Sequence, residues 1–566
     1  MAKGYRRRNN SRKNKEVELD VKRADLNAAD LEGMKEVVKN SRKDASNDPS
    51  WYANNPALLR DAASFPYSWP VGVPIDYNFP DDISGQPSSV AGLLTLNFAP
   101  TIGEATKQTS PVTIAARAIY SFVRHANSGH SNYDAPDLMM YILAMDSAFA
   151  WYANMVRAYG LMRSYQIYNR YFPKAIVEAL GYDFDDLQTK LADFRYHINS
   201  YAYRLGSFCV PGDMSYVARH IWMNSHIYKD SESRKAQMYA FRQDYYYTFV
   251  EMTEGPGYLN CAAFPYTEGT LLTLAEIQQV SDAILNPIAG SEDFGIMSGD
   301  ILKAFGSDRL FKISTIGEDF MVEPQYSLEV LSQFQNATIF GGKFDLTTKN
   351  PENDTRAGAD ISQTTTGPAA GAVLQHPFVS MAVLNSKDGL VYDILGTKTN
   401  RMITMYKDDV EPSDTMVATR LTAFVDVNER TVNLTDFTIT YGLETYGSEI
   451  VTSGAIYLFK SLGDSWYVSQ VSVSTLFDVG TEAAPSAIAE FITTISQFDY
   501  HPNVMIVQKV SDPDDPSDVN VAYGNMLDVN NFTLLNGKDV TNMNETALLS
   551  MFDCPQMASI SKQPVR

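Results

Sequence analysis

Residues 134–166 read DAPDLMMYILAMDSAFAWYANMVRAYGLMRSYQ, and the reading of this stretch decides the fold. Asp134 stands where a helix cap belongs, Pro136 falls in the first turn, and good helix formers follow. The sixteen residues from Leu138 to Ala153 carry a single charge, Asp146. A membrane span needs about twenty apolar residues, and Asp146, Asn154 and Arg157 interrupt this run. A helix buried on most faces inside a large helical domain is the preferred reading. A carboxylate inside such a helix needs a partner, and Arg117, Arg124, Arg157 and Arg163 are the candidates.

On either side of this stretch the helical pattern continues. PVTIAARAIYSFVRHA (111–126) opens on proline and runs through good helix residues. Further helices are expected at 173–181, 184–205, 213–229, 271–286, 298–306 and 325–335. One exception is KAQMYAFRQDYYYTFVEM (235–252), whose Tyr and Phe content favours extended structure. Near Ala337 the texture changes, and residues 338–370 are rich in Thr, Gly, Asn and Asp. FVSMAVLNSKDGLVYDIL (378–395) reads as a hairpin turning at Asp388-Gly389. Strands are expected at 417–427, 432–441, 455–460 and 466–477, then a helix at 485–496 and a last one near 543–552.

Toward the N-terminus, residues 44–111 hold many prolines and predict an irregular, extended connector that packs along something else. Residues 16–43 space Val17, Val21, Leu26, Leu31, Met34, Val37 and Val38 at roughly helical intervals among charges, as an amphipathic helix does. The first fifteen residues, MAKGYRRRNNSRKNK, carry seven cations (Lys3, Arg6, Arg7, Arg8, Arg12, Lys13 and Lys15) and no acid. The whole chain carries −21; without this block, 39 basic side chains face 67 acidic ones, a net of −28. The body repels nucleic acid and the tip attracts it. Seven cations against phosphates predict salt-dependent, sequence-independent binding, and no groove-reading motif accompanies them.

The length of 566 residues exceeds one ordinary core. The pattern divides into a basic arm and amphipathic segment (1–43), a Pro-rich connector (44–111), a helical domain (112–336), a β-rich domain (337–482) and a mixed C-terminal segment (483–566). The fold class is α+β, mainly helical in its first half. The 33 Tyr, 28 Phe and 5 Trp suit extensive packing or large subunit interfaces.

Catalytic signatures do not emerge. The sequence has no phosphate-binding loop, no dinucleotide fingerprint, no H-E-x-x-H and no G-x-S-x-G. Cys209, Cys261 and Cys554 form no C-x-x-C pair, which fits a reducing compartment and inert thiols rather than a zinc site. His125 and His130 flank a helix end, and His220 and His226, six apart, lie on different faces and make a poor ligand pair. Asp512, Asp514, Asp515 and Asp518 are oxygen donors, but Pro513 and Pro516 break the run and favour a solvated acidic loop over calcium. N-x-S/T triplets at Asn336, Asn353, Asn433, Asn531 and Asn544 read as chance, since no apolar leader precedes them. Neither a metal nor a cofactor is expected, and the chain is not expected to be an enzyme.

The stretch from Asp134, together with NRYFPKAIVEALGYD (169–183), resembles the helical shell core of picobirnavirus capsid proteins. The resemblance covers roughly residues 50–335 and is architectural beyond them. It implies a double-stranded RNA virus coat protein, built as symmetric dimers on a small icosahedral lattice. It also implies a helical wall, an outward β-rich domain, and an N-terminal segment that contacts RNA inside the particle. Assembly in the host cytoplasm, autoproteolytic release of that segment, and contact with a host membrane during entry follow from the same resemblance. Residues alone leave two other readings: a non-viral nucleic-acid-binding scaffold with a basic targeting arm, and an enzyme with an unrecognised site.

Overall fold

A computed structural model of the chain describes residues 51–552 except 53–54, 68–91, 128, 130–131, 165–171, 234, 383–399, 434, 436–437, 463–464, 479–490 and 512–518. The basic block, the amphipathic stretch 16–43, the Asp388-Gly389 turn and the four acidic-loop aspartates lie outside the described residues.

The chain forms two compact units, residues 1–69 and 70–566. The described part of the first unit centres on helix α1 (Pro56–Ala63). Asn55 caps it, accepting the Ala57 N–H at 3.0 Å, and Pro56 supplies a first residue that needs no bond. None of its residues is buried.

The described part of the second unit opens with strand β1 (Leu93–Pro100) and helices α2 (Pro111–Ala126) and α3 (Ala135–Arg163). After them come α4 (Phe172–Ala179), α5 (Phe184–Thr189), α6 (Leu191–Leu205) and α7 (Ser215–Ser225). Strands β2 (Tyr228–Lys229), β3 (Met238–Gln243), β4 (Tyr245–Val250) and β5 (Tyr258–Ala263) precede α8 (Leu274–Gly290) and α9 (Glu292–Phe305). Then come β6 (Gln325–Tyr326), α10 (Leu328–Gln335), β7 (Lys343–Phe344), β8 (Phe378–Ala382), β9 (Arg401–Met405) and α11 (Pro412–Ala418). Strands β10 (Phe424–Asn433), β11 (Thr438–Thr445), β12 (Glu449–Leu462), β13 (Ser465–Val473), β14 (Val504–Ser511), β15 (Val519–Met526) and β16 (Asn531–Leu535) lead to α12 (Gly537–Met551). Shorter paired segments lie between them.

Helix α3 is the hub. Asp134 and Asp137 form a reciprocal capping box: the Asp137 N–H donates to Asp134 Oδ1 at 3.3 Å, and the Asp134 N–H donates to Asp137 Oδ2 at 3.0 Å. Twenty-three of its 29 residues are buried, on every face, which is why its sequence shows no polar stripe. It packs against α2, α6, α7, α8 and β4. Trp151 is tied in through its indole N–H to Ser281 Oγ on α8, at 2.9 Å, and Gly160 lets the Phe320–Val322 segment run against the helix. A Cβ at Gly160 would stand 2.6 Å from Val322 Cγ2.

The main sheet has six strands in the order β13-β12-β1-β3-β2-β6. β1 lies in the middle, antiparallel to β12 (Leu96 opposite Gly454) and parallel to β3 (Leu96 opposite Phe241). All eight of its residues are buried. Leu94, Leu96 and Phe98 face a core with Met223, Tyr239, Phe241 and Phe334, while Leu93 and Ala99 join the larger core around α3. A second sheet, β10-β11-β8-β7, is drawn wholly from residues after 337.

These findings correct several expectations. Residues 93–100 are not part of an irregular connector: LLTLNFAP is buried on both faces, and Pro100 is tolerated because it ends the strand. The division at 336/337 is not a break in the fold, because β12, from the expected β-rich domain, pairs with β1 from the connector, and β13 pairs with β12. In the first half, β3 and β4 fall within 235–252, where extended structure was expected, and β5 adds a strand that was not, so the unit mixes helix and strand throughout. The helix expected over 184–205 is two helices meeting at Lys190. Residues 412–418, overlapping an expected strand, form α11, started by Pro412 and a Glu411–Asp414 capping box. The last helix begins at Gly537, where Asn536 and Asp539 cap reciprocally.

Candidate functional site

The seven cations expected to meet RNA, Lys3, Arg6, Arg7, Arg8, Arg12, Lys13 and Lys15, lie outside the described residues, so the structure brings none of them to a site. The densest chemistry among the described residues is a buried ionic junction joining α3, α7 and β12. Asp146 on α3 takes His220 Nδ1 of α7 at 2.7 Å. The other ring nitrogen, Nε2, lies 3.3 Å from Glu449 Oε1 at the start of β12. Arg219, the neighbour of His220, grips the same Glu449 with two bonds: Nε to Oε1 at 2.7 Å and Nη2 to Oε2 at 2.9 Å. Ser448 Oγ donates to Glu449 Oε1 at 2.6 Å, and Arg219 Nη2 reaches Gln333 Oε1 at 3.1 Å. Tyr216 meets the imidazole edge-on at 4.6 Å, and Phe98 of β1 lies along its face at 6.4 Å.

Burial alone would strip the His220 proton, but the Asp146 and Glu449 carboxylates outweigh burial and raise its pKa from 6.5 to about 9. Burial would likewise favour a neutral Glu449. Arg219 and His220 reverse that and hold Glu449 well below the usual carboxylate range. The junction is thus a charged lock inside the core, and its cations and anions neutralise one another.

The expected partners of Asp146 were arginines, and the structure replaces them with His220. Arg157, about three turns along α3 from Asp146, is fully buried and serves carbonyls instead. Its Nη1 donates to Met223 O at 3.1 Å, His226 O at 3.3 Å and Phe241 O at 2.8 Å. These acceptors include the last turn of α7, where an arginine meets the negative end of the helix dipole. Arg117 and Arg124 donate to the carbonyls of Gln108 and Gly129, and Arg163 is exposed. The pairing of Asp146, Arg219, His220 and Glu449 had no signal in the sequence, because Glu449 stands 230 residues beyond Arg219.

Other chemistry is held in structural contacts. His197 bonds Ser281 Oγ at 2.9 Å, and His226 bonds the Trp222 carbonyl at 3.2 Å, so neither addresses a thiol. Cys261 is buried beside Asp360, and burial pushes its thiol well above the ordinary value. Among the described residues no group of three or more His, Cys, Asp or Glu is arranged to hold a metal ion, and no helix is long and apolar enough to cross a membrane. A cavity of about 800 Å³ is lined by Glu178, Arg242, Asp244, Tyr457 and Lys343. Its charges are paired: Arg242 Nε with Asp244 at 2.7 Å, Lys343 with Glu268 at 2.8 Å, and Glu178 with Lys174 at 3.5 Å.

Among the described residues the buried ions lock elements of the fold together. The fold has a solved counterpart. It is similar to a chain in the X-ray crystallographic structure of the picobirnavirus capsid, with a TM-score of 0.74 over 90% of this chain and 99% of the other, at 22% identity. The class is therefore a viral capsid fold. The family model for the picobirnavirus capsid protein matches residues 51–512. Over 573 residues, spanning 98% of both chains, the protein is 29% identical to the capsid protein precursor of human picobirnavirus (strain Human/Thailand/Hy005102/-). The chain belongs to the picobirnavirus capsid protein family, a structural component of the virion.

Proposed function

We propose that this capsid protein assembles as dimers into a small icosahedral T=1 shell that encloses double-stranded RNA, with residues 1–15 meeting the RNA non-specifically inside. The observation that carries the reading is the family match over residues 51–512, joined to a basic block on an otherwise acidic chain. Lys3, Arg6, Arg7, Arg8, Arg12, Lys13 and Lys15 are the proposed RNA contacts. Seven charges per subunit are few against a genome's phosphates, so the contact is loose and polyamines or metal ions supply the remaining charge.

Apolar groups at the surface support contacts between copies. Trp51 is 58% exposed, Leu59 55% and Phe65 69%, on and around α1. On α6, Tyr196 and Tyr203, two turns apart and so on one face, are 77% and 76% exposed. Aromatic and aliphatic groups of this kind seed subunit interfaces. Exchange of the 44–111 connector with a neighbouring copy belongs to the same proposal, as does a β10-β11-β8-β7 sheet that projects from the shell wall. Assembly in the host cytoplasm, cleavage of the N-terminal segment and its contact with a host membrane complete it. The relative's designation as a precursor supports the cleavage.

Electron microscopy of the purified protein, with its absorbance ratio at 260 and 280 nm, tests the whole. Uniform closed particles with a nucleic-acid signal are expected. Small soluble oligomers across a range of salt and pH would overturn the assembly reading. A mass spectrum of the particles that showed only the intact chain would remove the cleavage.

A further inference from the structure

Between α10, β9 and the segments at Thr422, Thr475 and Asn503 lies a second cavity, of about 180 Å³. Its lining is largely apolar, with Ile339, Phe340, Met381, Ile403, Val425 and Met505 on its walls. Those walls are pinned. The Asn336 side chain donates to Thr404 O at 2.9 Å and accepts the Thr404 N–H at 2.8 Å. Thr475 Oγ1 accepts the Ile339 N–H at 2.7 Å, and the Thr475 N–H returns to Ile339 O at 2.9 Å. The space is thus preformed, as small-molecule sites are.

Among the described residues, three polar groups lining this cavity find no partner for a buried atom: Arg401 Nε, Gln335 Oε1 and Asn503 Oδ1. The Arg401 guanidinium lies over the Phe424 ring at 4.7 Å, which fixes its plane, and among the described residues no carboxylate pairs with it. Burial lowers its pKa to about 10, so it stays charged at neutral pH. Elsewhere in the core Arg219 and Arg242 have carboxylates and Arg157 has carbonyls. A half-buried cation without such compensation still carries a desolvation cost, and the chain has 67 acidic side chains from which to offset it.

We propose that this cavity binds a small amphiphilic carboxylate, its head on Arg401, with water donating to Gln335 Oε1 and Asn503 Oδ1, and its apolar body against the Met and Ile walls. A guanidinium presents two parallel donors to such a head group. One uncompensated cation matches a monoanion, and the apolar walls exclude a dianion. Dry cavities of about 150 Å³ hold a benzene-sized body, so a short alkyl chain or one ring fills this space. An acidic side chain from a neighbouring copy has the same head group, but its one or two methylenes would leave the apolar walls bare.

The test uses the full chain and octanoate, with octylamine as the charge-reversed control, read by titration calorimetry and by thermal shift. Octanoate should bind saturably and raise the melting temperature, and octylamine should do neither. Arg401→Met should weaken octanoate at least about tenfold. Leu534, which lines the cavity and is 54% exposed, gives a second variant that leaves the core untouched: Leu534→Trp should block octanoate without changing the melting temperature of the free protein. Equal binding of octanoate and octylamine, or unchanged octanoate binding by both variants, overturns the proposal. Absence of octanoate binding overturns it too. If Arg401→Met then also prevents assembly, the carboxylate comes from a neighbouring copy.

Discussion

Glu449 is the residue on which the buried junction turns. It takes both Arg219 bonds and faces His220, so Glu449→Gln leaves two buried cations with half their compensation. Breaking a buried pair in this way costs about 3–5 kcal/mol, and chemical denaturation of the variant should show it as a lower midpoint. The pH dependence follows from His220. Below pH 6.5 the imidazole is protonated in the folded and unfolded chain alike, and its contribution is full. Between 6.5 and about 9 the folded protein keeps a proton that the unfolded chain has released, so stability falls as pH rises. The loss is about 3 kcal/mol at most. Melting curves at pH 6 and pH 9.5 should show this fall in the wild type and a much smaller one in His220→Gln; equal falls would mean that His220 is not the titrating group. Glu449, held low, contributes in full only above its ordinary pKa of 4.5; as pH falls below that the unfolded chain takes up a proton that the folded chain refuses, so this contribution is lost progressively toward the depressed folded value.

Among the elements, β1 is the strand that joins the chain's halves. Leu96 is completely buried, on a strand flanked by β12 and β3. Leu96→Ala should cost about 2–5 kcal/mol, measured by denaturant unfolding. An effect below about 1 kcal/mol would mean that β1 is peripheral. The element was missed in the sequence because LLTLNFAP sits among prolines and because a strand buried on both faces lacks the alternation that marks a strand. Helix α3 was legible for the opposite reason: its length and its capping residues exclude a strand, and no neighbour is needed to see them. At the other end of the chain, Gly103 has φ +71° and receives Leu548 of α12, whose Cδ1 would lie 2.1 Å from an added Cβ. Gly103→Ala should therefore loosen α12, and hydrogen exchange across residues 537–551 should rise relative to α3.

For the whole molecule the proposal separates two tasks. In it, the packed unit would build the shell and the basic arm would meet RNA. Deleting residues 1–15 should leave particle formation intact and reduce packaged RNA, read as a lower 260-to-280 nm ratio in purified particles. Arg6→Ala, Arg7→Ala and Arg8→Ala together should do the same in part and reduce the salt dependence of RNA binding by about three in log–log slope. Loss of particles on deletion would make the arm structural.

The sequence by itself determined what depends on neighbours along the chain. Capping residues placed α3, prolines opened α2 and α11, and a one-signed run of charge set the tip against the acidic body. The resemblance in residues 134–183 pointed to the capsid family, and the family match bears that out. Only the tertiary structure decided what depends on residues far apart. It paired β12 with β1 across some 350 positions, chose His220 over four arginines for Asp146, and left Arg401 facing an apolar cavity. The physical reason is the same in each case. Desolvation is set by everything that packs around a group, and that shell is assembled from segments whose order in the chain says nothing about their distance in space.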